Sequence, residues 1–351
     1  MSSIKVTAEH NYEILIGVDW KSELSRLLAG RTRAAVIVSK DMQSRLGDLN
    51  TGDTEIFTFP VPDGESGKSS ATLLQVWNWL GAAGFTRNDL LVAIGGGATT
   101  DFAGFAAATW LRGIDWVAIP TTVAGMVDAA VGGKTAINSE YGKNLIGSFH
   151  SPKAVLVDFS WLETLTDRDY SAGLAEVVKA GFIADGEILN LMRGKSVTMI
   201  RKDNGAVKEI FTRAIAVKAN VVSQDFKENF AREALNYGHT LGHAIELESR
   251  FSMRHGECVA IGMAFMAQLQ LALGIITKEL AQDHLDILEN LGLPTSYKRG
   301  AWPILLANMS LDKKSRGKSL RFVTITGIGK TDRLENPDEK LLYSAYEKVS
   351  S

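Results

Sequence analysis

A change of hydrophobic period near residue 166 constrains this chain more than any other feature. Before it, short apolar runs rich in β-branched residues alternate with helical patterns. Residues 34–38, 54–59, 90–94, 116–119 and 154–157 read as strands, and 74–80 as part of an amphipathic helix. Strands that alternate with helices predict a mostly parallel sheet covered on both faces, a Rossmann-like α/β domain over 1–166. The opening segments, 4–7 and 13–17, fit a hairpin or an edge strand. Beyond 166 strand-like runs almost vanish. Periodicity of 3.6 residues runs through 170–183, 206–222, 231–248, 258–273 and 280–291. These predict an all-α domain over 167–351, with 320–325 as a short β exception. Ligands of open α/β sheets sit beyond the carboxyl ends of the strands, so a helical domain following the sheet is expected to close a cleft there.

Composition serves as a set of exclusions. A net charge of −2 over 351 residues offers no basic field for nucleic acid, so anion binding has to come from individual Lys and Arg side chains. Cys258, the one cysteine, excludes an internal disulfide and fits a reducing compartment. The start, Met1-Ser2-Ser3-Ile4-Lys5, has no apolar signal core, and no run approaches the roughly 20 apolar residues of a membrane helix. The expectation is a cytoplasmic protein that binds neither nucleic acid nor membrane.

Two loops at predicted strand ends point to a bound polyanion. The strand at 90–94 runs into Gly95-Gly96-Gly97-Ala98-Thr99-Thr100-Asp101, followed by a helical pattern over 102–111. Glycines let the backbone approach a ligand, and a helix N-terminus offers N–H donors to phosphate. Three consecutive glycines are not the GxGxxG fingerprint, and a tight strand-to-helix turn is the plain alternative; Asp101 suits the helix dipole whatever the ligand. The second loop, Pro120-Thr121-Thr122, leads through Asp128 to Gly132-Gly133-Lys134-Thr135 and reads as a second Gly-rich loop.

Three of six histidines, His239, His243 and His255, fall close together in the sequence. His239 and His243 have i, i+4 spacing, which puts them on one helix face. Two imidazoles and a carboxylate would suit Zn²⁺ or a similar first-row ion, whereas a lone pair would sooner make local hydrogen bonds. Spacing leaves open which histidines are ligands, with His239 and His243 the first choice by that rule. Glu176 is the candidate carboxylate, because it lies in an apolar helical run where an unpaired acid is costly; a salt bridge to Lys179 is its alternative. Arg112, Lys134, Lys143, Lys179, Lys218, Arg232 and Lys313 are scattered cations. Singly each fits a surface side chain; together they suit a ligand with phosphate and carboxylate.

The ordered motifs 95–101, Gly104-Phe105, Arg112-Gly113, Pro120-Thr121-Thr122, Val127-Asp128, Gly132-Gly133-Lys134-Thr135, Gly142-Lys143-Asn144, 175–179, 235–239, 242–246, His255-Gly256-Glu257 and Asp312-Lys313-Lys314 resemble the 3-dehydroquinate synthase family over nearly the whole chain. The resemblance implies a shikimate-pathway lyase that converts 3-deoxy-D-arabino-heptulosonate 7-phosphate to 3-dehydroquinate and phosphate. It implies catalytic, unconsumed NAD, a divalent metal (Zn²⁺ or Co²⁺) and a homodimer. It assigns the ion to Glu176, His239 and His255, and makes His243 a substrate-side group, a candidate for proton handling. It places NAD on Gly95, Gly96 and Gly97, with Asp101, Thr121, Thr122, Asp128, Lys134 and Lys143 nearby and Glu65 and Lys68 on the adenosine side. Lys134, Asn144, Lys179, Lys218, Arg232, Asn236 and Lys313 fall on substrate positions. Arg112 matches a phosphate-contacting arginine that acts across a dimer in some members. One departure concerns the ribose: the segment after the second strand, Val38-Ser39-Lys40-Asp41, leaves the contact open between Ser39 and Asp41, and Lys40 would tolerate a 2′-phosphate.

Three rivals stand beside this reading: another sugar-phosphate cyclase acting on sedoheptulose 7-phosphate or glucose 6-phosphate, a metal-dependent alcohol or glycerol dehydrogenase, and a nucleotide-binding module without catalysis. The cyclase rival needs no carboxylate clamp, which Lys218, Arg232, Asn236 and Lys313 would supply.

Overall fold

The computed structural model describes residues 2–49, 51–226, 231–316 and 320–351, without the side chains of 231 and 311–316. The chain divides into two compact units. One comprises Met1–Leu165 with Lys218–Lys227, the other Thr166–Val217 with Glu228–Ser351.

The first unit is built on a seven-stranded sheet. Its strands are β1 (Ser2–Val6), β2 (Tyr12–Ile16), β3 (Arg33–Ser39), β4 (Glu55–Val61), β5 (Leu90–Gly95), β6 (Asp115–Pro120) and β9 (Ala154–Val157), in the order β1-β2-β9-β6-β5-β3-β4. Every pairing is parallel except β1 with β2 at one edge. The runs that read as strands are the strands, because a parallel sheet covered on both faces needs continuous apolar sequence: β5 and β9 are buried throughout. Helices α1 (Trp20–Leu28), α2 (Lys40–Gln43), α3 (Ser70–Ala82) and α4 (Gly97–Thr109) connect them. Asp19 and Ser69 cap α1 and α3 by accepting from the N–H groups of Ser22 and Thr72.

One expectation is corrected here. Residues 132–135, read as part of a Gly-rich loop, lead into an antiparallel hairpin of β7 (Lys134–Ser139) and β8 (Gly142–Phe149). It escaped notice because β8 is exposed or half-exposed along its whole length and so carries no buried alternation. Gly147 lets the two strands close, since a Cβ there would stand 2.5 Å from the Thr135 carbonyl oxygen.

The second unit is helical: α5 (Asp167–Ile183), α6 (Gly186–Met192), α7 (Val197–Lys202), α8 (Asn204–Gln224) as far as Val217, α9 (His239–Glu248), α10 (His255–Ala272), α11 (Lys278–Asn290), α12 (Trp302–Arg316) and α13 (Glu339–Lys348). Helix α10 is buried on nearly every side and packs against α5, α9, α11 and α13, as its all-round apolar sequence requires. The β exception at 320–325 is real and has a partner: β10 (Arg321–Gly327) pairs antiparallel with β11 (Lys330–Glu335). No helix among the described residues is long and apolar enough to cross a membrane.

The continuous helical period over 231–248 is broken in the structure. A 3₁₀ turn over Ala231–Asn236 ends before Gly238, whose φ of +76° reverses the chain into α9. The break is forced by a close crossing with α10: a Cβ on Gly262 would lie 1.9 Å from the Gly238 carbonyl oxygen.

Candidate functional site

The helical unit gathers one carboxylate and three imidazoles from three helices. Glu176 faces inward from the middle of α5, His239 opens α9, and His255 opens α10. Glu176 Oε1 lies 3.4 Å from His239 Nε2 and 3.3 Å from His255 Nε2. The three donor atoms lie within 4.8 Å of one another. Donors arranged tetrahedrally at about 2.0–2.1 Å from an ion would stand about 3.3–3.4 Å apart, so the two separations from Glu176 match those of a Zn²⁺-sized ion. The N₂O donor set is of the kind that leaves a position open for substrate.

Each ring is oriented by its second nitrogen. His239 Nδ1 lies 3.0 Å from the Tyr237 carbonyl oxygen, which accepts only, so Nδ1 carries the proton and Nε2 offers its lone pair toward Glu176. His255 Nδ1 lies 3.4 Å from Glu246 Oε1, a carboxylate–histidine arrangement of the kind that backs metal ligands. Glu246 lies in the 242–246 motif, and its i+3 position after His243 is the sequence signal that points to it. His243, Glu246 and His255 form a second donor group that shares His255. The His243 ring lies 5.2 Å from His239 and 6.0 Å from His255, centroid to centroid.

The charges follow from this packing. Burial opposes ionisation of Glu176, but Lys179 and the two imidazoles hold its carboxyl well below the usual range. Lys179 is ion-paired with it, and both side chains are almost wholly buried. Burial, with Lys179 close by, pushes His239 down, which keeps it neutral as a ligand must be. Burial also opposes the charged form of His255, yet hydrogen bonds to Glu176 and Glu246 prevail and push it up to about 10, so an ion that takes this ring as a ligand would displace a proton from it.

In the first unit the two strand-end loops meet. Gly95 lies opposite Pro120 in the sheet register, and its carbonyl accepts from Thr121 N–H at 2.9 Å. A Cβ on Gly96 would lie 3.2 Å from Thr122 Cγ2, and one on Gly97 2.8 Å from Ala129 Cβ. Glycine is therefore what lets Gly95–Gly97 seat against Thr121 and Thr122, at the carboxyl ends of adjacent strands where an open sheet binds nucleotide.

A second cluster forms nearby. Lys68, 2% exposed, is ion-paired with Asp101 and hydrogen-bonded to Asn144 Oδ1. Burial pushes Asp101 up against the pull of Lys68. Asn138 ties the cluster together: its Nδ2 donates to Glu65 Oε2 at 2.7 Å, and its Oδ1 accepts from Asn144 N–H at 3.0 Å. Sequence reasoning missed Asn138, which lies in no motif it used. Asn144 holds a left-handed backbone, φ +57°.

The other expected residues fall as follows. Lys218 pairs with Asp128 at 2.5 Å. Lys134 begins β7 and is exposed, and Lys143 is half-buried on β8. Arg112 is exposed in a left-handed conformation, φ +66°. Arg232 is buried, and Asn236 half-buried, in the turn before α9. The Lys313 side chain lies outside the described residues. Ser39 is buried at the end of β3, and Asp41 N–H donates to Asp63 Oδ1 at 3.2 Å, so two carboxylates stand at the ends of β3 and β4.

Comparison with known proteins bears on both units. Residues 58–172 match the model of the 3-dehydroquinate synthase N-terminal family, and 173–315 that of the 3-dehydroquinate synthase C-terminal family. The chain is 47% identical to the 3-dehydroquinate synthase of Paenarthrobacter aurescens (strain TC1), across 99% of this chain and 98% of that one. Among solved structures, ValA, a 2-epi-5-epi-valiolone synthase from Streptomyces hygroscopicus subsp. jinggangensis 5008 with NAD⁺ and Zn²⁺ bound, superposes with a TM-score of 0.89 at 25% identity, covering 99% of this chain and 98% of that one. A 2-deoxy-scyllo-inosose synthase complexed with carbaglucose-6-phosphate, NAD⁺ and Co²⁺ shares the fold, with a TM-score of 0.87 at 23% identity over 99% and 100% of the two chains.

Proposed function

The chain belongs to the 3-dehydroquinate synthase family and has that family's lyase function, and from this premise we propose how its residues divide the work. The substrate is 3-deoxy-D-arabino-heptulosonate 7-phosphate, and the products are 3-dehydroquinate and phosphate. The observation that carries the proposal is the Glu176–His239–His255 constellation, whose spacing suits Zn²⁺ or Co²⁺. When bound, NAD⁺ takes up and returns a hydride while the ion serves as a Lewis acid at the reacting oxygen.

Glu176, His239 and His255 hold the ion, and Glu246 orients His255. His243 moves the proton at the reacting hydroxyl, a task suited to an imidazole near neutral pH. Gly95, Gly96 and Gly97 admit the cofactor's diphosphate, with Thr121, Thr122 and Asp128 on the nicotinamide half. Glu65, Lys68, Asp101 and Lys143 serve the rest of the cofactor, and the carboxylates of Asp41 and Asp63 favour a free ribose over a 2′-phosphate. Arg112, Lys134, Asn144, Lys179, Lys218, Arg232, Asn236 and Lys313 clamp the carboxylate, hydroxyls and phosphate of the substrate in one orientation, which lowers the entropic part of the barrier. Residues 1–166 thus serve NAD, and 167–351 the ion and much of the substrate. The exposed Tyr141, Leu145 and Ile146 on the β7–β8 hairpin are apolar surface of the kind that a second copy covers in a homodimer.

The test combines protein, Zn²⁺, catalytic NAD⁺ and the seven-carbon sugar-acid phosphate, and follows phosphate release together with NADH absorbance. Stoichiometric phosphate with no net NADH, abolished by a chelator, is expected. Release from sedoheptulose 7-phosphate instead, or net NADH from a polyol, would replace this reaction with that of a sister enzyme.

A further inference from the structure

Behind His239 lies a buried polar chain with no direct place in the chemistry just described. Tyr237, Gln270 and His284 are wholly buried, on the segment before α9, on α10 and on α11 respectively. His284 Nδ1 lies 2.7 Å from the Leu280 carbonyl oxygen, which accepts only, so the ring proton is on Nδ1 and Nε2 is an acceptor. The Tyr237 hydroxyl, 2.9 Å from that Nε2, is therefore the donor. Its oxygen accepts in turn from Gln270 Nε2 at 3.0 Å, which also donates to the Met266 carbonyl at 3.0 Å. Gln270 Oε1 accepts from the Ile325 N–H at 2.5 Å. Each donor direction in the chain is thereby fixed, and it runs unbroken from β10 through α10 to α11.

The His284 ring is further held flat on Phe182, with centroids 3.6 Å apart and planes 5° from parallel. A buried network satisfied at each member has one arrangement, because any rotation leaves a donor or acceptor unpaired in an apolar interior. The arrangement bears on one outward group, the Tyr237 carbonyl, which accepts from His239 Nδ1. Tyr237 is thus gripped at its side chain while its backbone sets the tautomer of the histidine two residues on. Gly238, the residue between, is in the left-handed region and is crossed by α10, so the two residues cannot relax independently.

We propose that Tyr237, Gln270 and His284 are positioning residues for His239: the hydroxyl–imidazole–amide chain fixes the ring and its Nδ1–H tautomer so that Nε2 is presented to a divalent ion. The proposal rests on the reading of His239 as a ligand. None of the three touches substrate or cofactor in this role.

The experiment compares wild type, Tyr237→Phe, His284→Phe and His284→Gln. Zn²⁺ affinity is measured by competition with a chromophoric chelator, without substrate, and the imidazole ¹⁵N spectrum of His239 is recorded on metal-free protein. Tyr237→Phe should weaken Zn²⁺ binding by about 10- to 100-fold, the usual cost of losing an outer-shell partner, and should replace the single Nδ1–H signature of His239 with a mixture. NAD⁺ affinity should not change. His284→Phe should show a smaller loss of the same kind, and His284→Gln, which keeps a donor and an acceptor, should restore part of it. Lowered melting temperatures with unaltered Zn²⁺ affinity and an unaltered His239 spectrum would make the chain structural only and overturn the proposal. A wild-type protein that takes up no Zn²⁺ would overturn the metal reading, and the His239 spectra would still decide whether the chain sets the tautomer.

Discussion

Gly256 and Ala172 touch so closely that a Cβ on the glycine would lie 1.6 Å from the alanine's carbonyl oxygen. The contact is where the first turn of α10 meets α5, one residue after His255 and four before Glu176. Helix approach and the spacing of these candidate donors are therefore one quantity. Gly256→Ala should push the helices apart, cost about 3 kcal/mol of stability as an overpacked site does, and weaken ion binding at the same time. Calorimetry and a chelator competition on the same variant check both, and a wild-type result in either would uncouple the packing from the site.

Glu176→Gln keeps the shape of the acid but removes its charge, leaving buried Lys179 without its partner. His239→Ala removes one ring. Both should lower Zn²⁺ affinity by more than about 100-fold, beyond the cost of an outer-shell loss, and abolish turnover. Elemental analysis of purified variants reads the first effect; full metal occupancy in either would remove that residue from the ligand set.

Lys134→Ala tests the substrate clamp. The side chain is exposed at the start of β7, so its loss should leave folding, ion content and NAD⁺ binding intact while phosphate release falls by at least about 10-fold, the scale of one charge-assisted hydrogen bond. Wild-type kinetics would take Lys134 out of the site.

Acid should find the helical unit through His284. Burial pushes this ring from the ordinary 6.5 down to about 4. Between those values the unfolded chain holds a proton that the folded chain does not, so stability rises with pH and falls as pH drops from 6.5 toward 4. The full contribution is roughly 3 kcal/mol at about 1.4 kcal/mol per pH unit. Urea titrations across that range should show the slope, and His284→Phe should flatten it.

Strands were legible where burial was two-sided: at β5 and β9 continuous apolar sequence is the direct imprint of a covered parallel sheet. The β7–β8 hairpin was not, because a strand open to water on one side need not repeat. Periodicity likewise ran straight through Gly238, since a helix and a broken helix carry the same apolar spacing and only the backbone of α10 forbids the continuous one. The i, i+4 rule rightly predicted that His239 and His243 would be neighbours. It had no means of showing that Glu176 would approach His239 and His255, because that encounter joins residues 63 and 79 apart in the chain and is made by helix packing. The candidate residues were named by motif resemblance, while the contacts of Tyr237, Gln270 and Glu246 behind the rings are visible only in the fold.

The interleaving of the two units sets an order of events during synthesis. The sheet of the first unit leaves the ribosome early, yet Lys218–Lys227 belong to it, and they bring Lys218 to Asp128 and Phe226 to within 5.3 Å of Phe149. Translation must therefore run through α5, α6, α7 and most of α8 before Asp128 meets its lysine. A nascent chain released at residue 165 would carry every strand of the sheet but lack these contacts, so the first unit is completed by the messenger's middle, not by its beginning.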